Sequence, residues 1–233
     1  MNNFAYRQYN LAIYIMFQIS FFTFVDLTQI RRLETLERRI ERLSHAERDS
    51  IPIHYPLIRS GIKRYCFTGF DPDVLDALRK RVADYVPVTK FEQNEKENCL
   101  MAISLAQSML IPSFPNVSFE KGETIDLQLG GIILHVVTEA RLSWTDAKGV
   151  LHIGAIKSKI KKSNYSRESA EMAACLLAKA MMVKHPEAIV DPHLCLCYDV
   201  FRQRIASASN LSKNLEEAIR IAEKIASRED LAA

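Results

Sequence analysis

The hydrophobic period changes at residue 121, and that change sets the fold class. Upstream, apolar residues recur three or four apart. Downstream they alternate in Thr124-Ile-Asp-Leu-Gln-Leu129, the period of a half-buried strand. Gly130-Gly131 makes a turn, and residues 132–144 read as one long strand rich in β-branched side chains. Asp146-Ala-Lys-Gly149 reads as a hairpin turn and residues 150–160 as the return strand. A helix is expected over about 166–184, with Met172, Leu176, Leu177, Ala180 and Met181 in its apolar set and Glu168 and Glu171 in its first turns. A strand over 193–200 and a helix over about 211–228, with Leu215, Ile219, Ala222 and Ile225 on one face, complete the series. Helix, strand, strand, strand, helix, strand, helix is the order of a mixed α/β (α+β) core.

Three helices are expected before the switch. Leu33, Leu36, Ile40 and Leu43 form a narrow seam among charged residues. That seam is suited either to packing on its own domain or to self-association or partner docking through residues 31–43. Asp71-Pro72-Asp73 reads as a helix start, with Val74, Leu75, Leu78, Val82 and Val86 on the apolar face. A further helix is expected from about Asn94 to Leu110, with Met101, Leu105 and Met109 recurring every four residues. Pro52 and Pro56 make 50–56 an extended connector. The apolar run 11–25 is shorter than the roughly 20 residues of a spanning helix. A membrane anchor, a segment buried against the main body or a partner, and an upstream extension all stay open for it. The implied organisation is an apolar segment at 1–28, an amphipathic helix at 29–50 and one α/β domain at 51–233.

Composition narrows the class. The chain of 233 residues is 48% hydrophobic and 25% charged, which excludes a disordered chain, a collagen-like fibre and a multi-span membrane protein. Five cysteines without a CxxC pair read as reduced thiols of a cytoplasmic protein. His193, Cys195 and Cys197 alternate on one strand, which wraps poorly round a tetrahedral ion, so the cysteines are assigned to the core. The net charge of +3 announces no partner, but residues 141–167 carry seven Lys and Arg against the single acid Asp146. Lys157, Lys159, Lys161, Lys162 and Arg167 are therefore expected to form a basic ridge for a phosphate backbone, DNA being the expected partner. A solvated edge strand protected by lysines accounts for the same pattern. Tyr165 and Trp144 are candidates for base stacking, or for packing.

Val137-Thr-Glu139, Gly154-Ala-Ile-Lys157 and the helix from Glu168, in this order, resemble the PD-(D/E)XK nuclease superfamily, in its branch of recombination exonucleases and CRISPR-adaptation nucleases. The resemblance covers about residues 95–210. It implies a restriction-endonuclease-like core, a mixed central sheet flanked by helices, here with an N-terminal helical extension. It also implies Mg²⁺ held by carboxylates, with a lysine beside the attacking water. Glu139 would be the first carboxylate and Asp126 a spare, Lys157 the lysine, and Glu168 or Glu171 an acid reaching in from the helix. Ala155 stands where the second carboxylate belongs, and alanine cannot bind a metal. The expectation is a nucleic-acid-binding or nucleic-acid-processing protein of DNA repair or defence. It is either an active Mg²⁺-dependent deoxyribonuclease using Glu139, Lys157 and Glu171 or a degenerate relative; a scaffolding module is the alternative.

Overall fold

The computed structural model describes residues 17–46, 56–162 and 165–229. In chain order the elements are β1 (Phe17–Ser20), α1 (Phe21–Thr28), α2 (Leu33–Ala46), α3 (Pro56–Phe67), α4 (Pro72–Asp84) and α5 (Lys90–Gln107). There follow β2 (Ser118–Lys121), β3 (Thr124–Leu129), β4 (Ile132–Val137), β5 (Ala140–Thr145), β6 (Leu151–Lys159), α6 (Arg167–Lys184), β7 (Ile189–Asp199), β8 (Arg204–Ser207) and α7 (Leu211–Glu229). The mixed α/β class expected from the period change is the class of the molecule.

The strands form two sheets, ordered β1-β4-β3 and β2-β5-β6-β7-β8. The long strand expected over 132–144 is broken at Thr138–Glu139, because its halves belong to different sheets: β4 pairs with β3 and β5 with β2 and β6. The partner arm bends opposite the break. The Thr138 hydroxyl accepts from Glu123 N–H at 2.7 Å and donates to Glu123 O at 3.1 Å, while Gly122 N–H donates to Glu139 O at 3.2 Å. Glu139 therefore sits at the pivot between the sheets.

In the five-stranded sheet β5 and β6 are antiparallel, β6 and β7 parallel, and α6 makes the crossover between them. Alternation gives each face its own core. Ala140, Leu142, Ile156, Leu194, Leu196 and Tyr198 meet α3, α4 and α5 on one side. Ile153, Ala155, Cys195, Cys197 and Ala206 meet α6 on the other. The second sheet closes over the far side of α6 with Ile125, Leu127, Leu129, Ile132, Leu134 and Val136. Held between two sheets, α6 buries residues all round its axis, among them Met172, Ala173, Cys175, Leu176, Leu177 and Met181, as a helix apolar on every side must. Each fully buried leucine there contributes roughly 2 kcal/mol of transfer free energy.

Helix ends follow local chemistry. Asp71 caps α4 by accepting from Asp73 N–H at 3.0 Å, with Pro72 in the first turn. α5 begins at Lys90, not near Asn94, because Thr89 and Glu92 form a reciprocal capping box. The backbone N–H groups of Val88 and Thr89 hold the Glu92 carboxyl below the usual carboxylate range. Four expected apolar positions are exposed rather than in the core: Leu33, Val86, Met101 and, on α7, Ile219. Val86 lies beyond the end of α4 and is 78% exposed, and Met101 faces outward while Cys99, Ala102, Ile103 and Ala106 are buried.

The described part of the N-terminal apolar segment packs on the main body. β1 pairs in parallel with β4, and Phe21, Phe24, Val25 and Leu27 of α1 are buried. Leu36 and Ile40 of α2 are buried in the same core, whereas Leu33 is exposed. Among the described residues no helix is long and apolar enough to cross a membrane. Residues 11–16 of the anchor reading, the side chain of Leu43 and the connector before Pro56 lie outside the described residues. Pro56 itself, expected in the connector, opens α3, where a proline's missing N–H costs nothing.

Candidate functional site: an ionic cluster under helices α1 and α6

The register Ala140↔Ile156 continues one residue further, so Glu139 and Lys157 stand opposite each other on the α6 face. Lys157 Nζ is 3.5 Å from Glu139 Oε1, and each side chain is only 13% exposed. Glu139 Oε2 accepts from Ser158 N–H at 2.7 Å, and Glu139 N–H donates to Ile156 O at 2.8 Å. Lys157 also donates to Val137 O. The carboxylate and the ammonium are thus locked to three successive strand segments.

The other expected acids go elsewhere. Asp126, on the outer face of the three-stranded sheet, is 2.7 Å from His135 Nδ1, and both are well exposed. Glu171 is 2.9 Å from Arg167 across one helical turn. Glu168 lies at the start of α6, where its own backbone N–H and the Ser166 hydroxyl hold its carboxyl low, with Arg204 and Arg31 adding to the effect. Ala155 is fully buried between Arg141 on β5 and Cys195 on β7. Among the described residues no three His, Cys, Asp or Glu side chains converge to hold a metal ion. One carboxylate, already engaged by an ammonium and a backbone N–H, falls short of the hard oxygen set that Mg²⁺ requires.

The basic ridge is corrected in part. β6 is a central strand, not a solvated edge, so Lys159 is buried and Lys157 mostly covered on its α6 face. Lys161 and Lys162 are exposed, and Arg167 is 78% exposed at the start of α6. Tyr165 does not face solvent either. It is buried, donates to Ser169 O at 3.1 Å, and lies beneath Lys159 Nζ at 3.3 Å from its ring centroid. Trp144 stacks on His152 with centroids 4.5 Å apart.

One group escapes sequence reasoning. Lys159 on β6, Asp199 on β7 and Arg204 on β8 are register partners across three adjacent strands. Lys159 is 3% exposed and its nearest ion-pair partner is Asp26 of α1, at 3.7 Å. Burial lowers the Lys159 ammonium and raises the Asp199 carboxyl, with the two charges opposing those shifts. The available signal was Asp199 at the end of the apolar run Leu194-Cys-Leu-Cys-Tyr198. The five cysteines are free and buried. Burial pushes the Cys195 and Cys197 thiols up to about 12, which leaves no thiolate for chemistry.

The raised Asp199 carboxyl carries a pH prediction. The folded chain binds more protons here than the unfolded chain above its ordinary value of about 3.9. This group therefore stabilises the fold increasingly as pH falls through the raised value, and that gain is lost as pH rises. Asp199→Asn removes the dependence. Urea unfolding from neutral to acid pH should show the variant's advantage over wild type shrinking as pH falls; a constant difference would assign Asp199 an ordinary carboxyl.

No family model, curated protein or solved structure matches the chain.

Proposed function

We propose that the chain is a cytoplasmic nucleic-acid-binding protein built on a PD-(D/E)XK-like core that has lost a carboxylate needed for metal-dependent cleavage. The observation that carries this reading is the Glu139–Lys157 pair on the β5–β6 hairpin, followed by α6 and the parallel strand β7. That is the order of acid, lysine, helix and strand which the sequence resemblance implies. The loss follows from Ala155, which leaves Glu139 as the acid paired with Lys157 and, among the described residues, no cluster of three ligating side chains. Contact with phosphates falls to the exposed Lys161, Lys162 and Arg167, near Arg31 and Arg204 at the start of α6. Such contacts release counterions, so affinity should fall steeply with salt.

The test is fluorescence anisotropy with single- and double-stranded DNA over a salt series. Wild type should show a linear fall of log affinity with log salt. Replacing Lys161, Lys162 and Arg167 together by glutamine should flatten the slope by about 2 on single strands and nearly 3 on the duplex. A flat wild-type response would remove the nucleic-acid reading. The same oligonucleotides incubated with Mg²⁺ or Mn²⁺ should stay intact; cleavage that disappears in Lys157→Ala would restore the alternative of an active deoxyribonuclease.

A further inference from the structure

We infer that Lys159, Asp199 and Arg204 form an oxyanion site, specific for a phosphate group, at the carboxyl ends of β6 and β7. The first argument is unmet hydrogen bonding. Lys159 Nζ, Asp199 Oδ2 and Arg204 Nη1 are all buried without a hydrogen-bond partner among the described residues. Buried polar atoms are almost always paired, and an unpaired buried charge is costly to the fold. Three such atoms on register partners of adjacent strands, on one face of the sheet, make a single unfilled polar cluster of two cationic donors and one carboxyl oxygen.

Position supplies the second argument. In an open sheet with helical crossovers, ligands bind in the crevice beyond the carboxyl ends of parallel strands. Lys159 ends β6 and Asp199 ends β7, the two parallel strands joined by α6. The first turn of α6, whose N–H groups are already engaged by Ser166 and Glu168, borders the crevice, and Tyr165 beneath Lys159 fixes the ammonium in place. Asp199 Oδ1 is occupied by Arg202 N–H at 3.3 Å, so only its second oxygen faces the set.

Charge identifies the ligand. Lys159, Arg204 and Arg202 act on one carboxyl whose burial favours its protonated form, which would then donate rather than repel, while Glu168 at the start of α6 lies on the Arg204 side of the cluster. Asp26, 60% exposed, places a carboxylate 3.7 Å from Lys159 Nζ. That is a side-chain anion on the solvent side of the cluster, beyond hydrogen-bond length. A tetrahedral phosphate taking its place reaches Lys159 and Arg204 together, with charge-assisted bonds. The exposed Asp26 side chain can swing aside without disturbing the buried residues of α1. The site rests on the nucleic-acid reading only for the source of the phosphate, a strand end or free phosphate.

The experiment measures thermal unfolding of the full chain against inorganic phosphate, with chloride at matched ionic strength as control. Wild type should be stabilised by phosphate alone. Lys159→Met should lose that response; because it also takes a cationic partner from Asp26 and Asp199, the phosphate-induced shift is read against the variant's own ligand-free unfolding temperature. Asp26→Asn, on the surface, should bind phosphate more tightly than wild type, and Arg204→Gln about tenfold more weakly. No phosphate response in wild type, an equal response in Lys159→Met, or unchanged affinity in Asp26→Asn overturns the site. Oligonucleotides with a 5′-phosphate or a 5′-hydroxyl then separate the sources. Preference for the phosphate, lost in Lys159→Met, supports a strand end. Equal binding beside an intact phosphate response supports free phosphate, and DNA binding without any phosphate response sinks this site while sparing the proposed function.

Discussion

Glu139→Ala should lower the free energy of unfolding by about 3 kcal/mol, because it strands an ammonium in the interior. Lys157 and Glu139 are each mostly covered, so neither charge can be left to solvent when its partner is removed. The alanine also takes the acceptor from Ser158 N–H, a backbone donor on a central strand. Lys157 keeps Val137 O, which is one acceptor for three ammonium hydrogens. The double variant Glu139→Leu with Lys157→Met should recover most of the loss, since apolar side chains of similar volume often replace a buried ion pair at little cost. Urea unfolding of the two single variants and the double measures the coupling. Single-variant losses below about 1 kcal/mol would mean that the pair is solvated like a surface salt bridge. The recovery matters for function too. A pair kept only for stability would be dispensable, whereas one inherited from a cleavage site would be expected to affect nucleic-acid affinity in the stable double variant.

Much of this architecture was legible because period and turn chemistry agree. The expected helix at 166–184 and the observed Arg167–Lys184 differ by one residue, since Ser166 caps the start and Pro186 follows the end. The hairpin over 146–149 was legible because Asp146 accepts from Lys148 N–H and Val150 N–H, the local bonding that aspartate offers a turn. The break at Thr138–Glu139 was hidden because the β-branched half Ile132–Val137 runs without a Gly or Pro into the alternating half Ala140–Thr145; what divides them is a bend imposed from the partner arm. Glu139 and Lys157 could be paired from sequence, since a hairpin with a known turn fixes which residues face each other. The inward direction of Lys159 could not. Seven cations in a stretch of 27 residues look like surface, and only the sheet order shows β6 covered on both edges and by α1 and α6 above. β1, β2, β8 and α3 are absent from the sequence reading: the three strands are four residues long and their pairing is tertiary, whereas the helical spacing of Ile58, Ile62, Tyr65 and Cys66 in α3 was masked by Pro56, which reads as a breaker.

Gly122→Ala should be the most damaging small substitution at the pivot, costing about 3 kcal/mol, at the upper end for overpacking. The reason is contact, not backbone strain, because Gly122 is not among the residues with positive φ. A Cβ there would lie 2.2 Å from Thr138 O, 2.5 Å from its carbonyl carbon and 2.6 Å from Oγ1. Two of those atoms are backbone, held by the Thr138–Glu123 bonds on one side and by Gly122 N–H to Glu139 O on the other. Relief therefore requires the two arms to part where the ribbon passes from one sheet to the other. Gly149→Ala is the control: its φ of +79° makes alanine unfavourable, yet nothing lies within 4 Å of the new methyl, so about 1 kcal/mol is expected. If both variants lose the same stability by urea unfolding, the pivot is not tightly closed. If Gly122→Ala loses far more, the displaced carbonyl is that of Thr138, whose peptide bond leads into Glu139, and the ion pair with Lys157 should weaken with it. Proton exchange at Ser158 N–H, whose acceptor is the Glu139 carboxylate, should then quicken in Gly122→Ala and stay slow in Gly149→Ala.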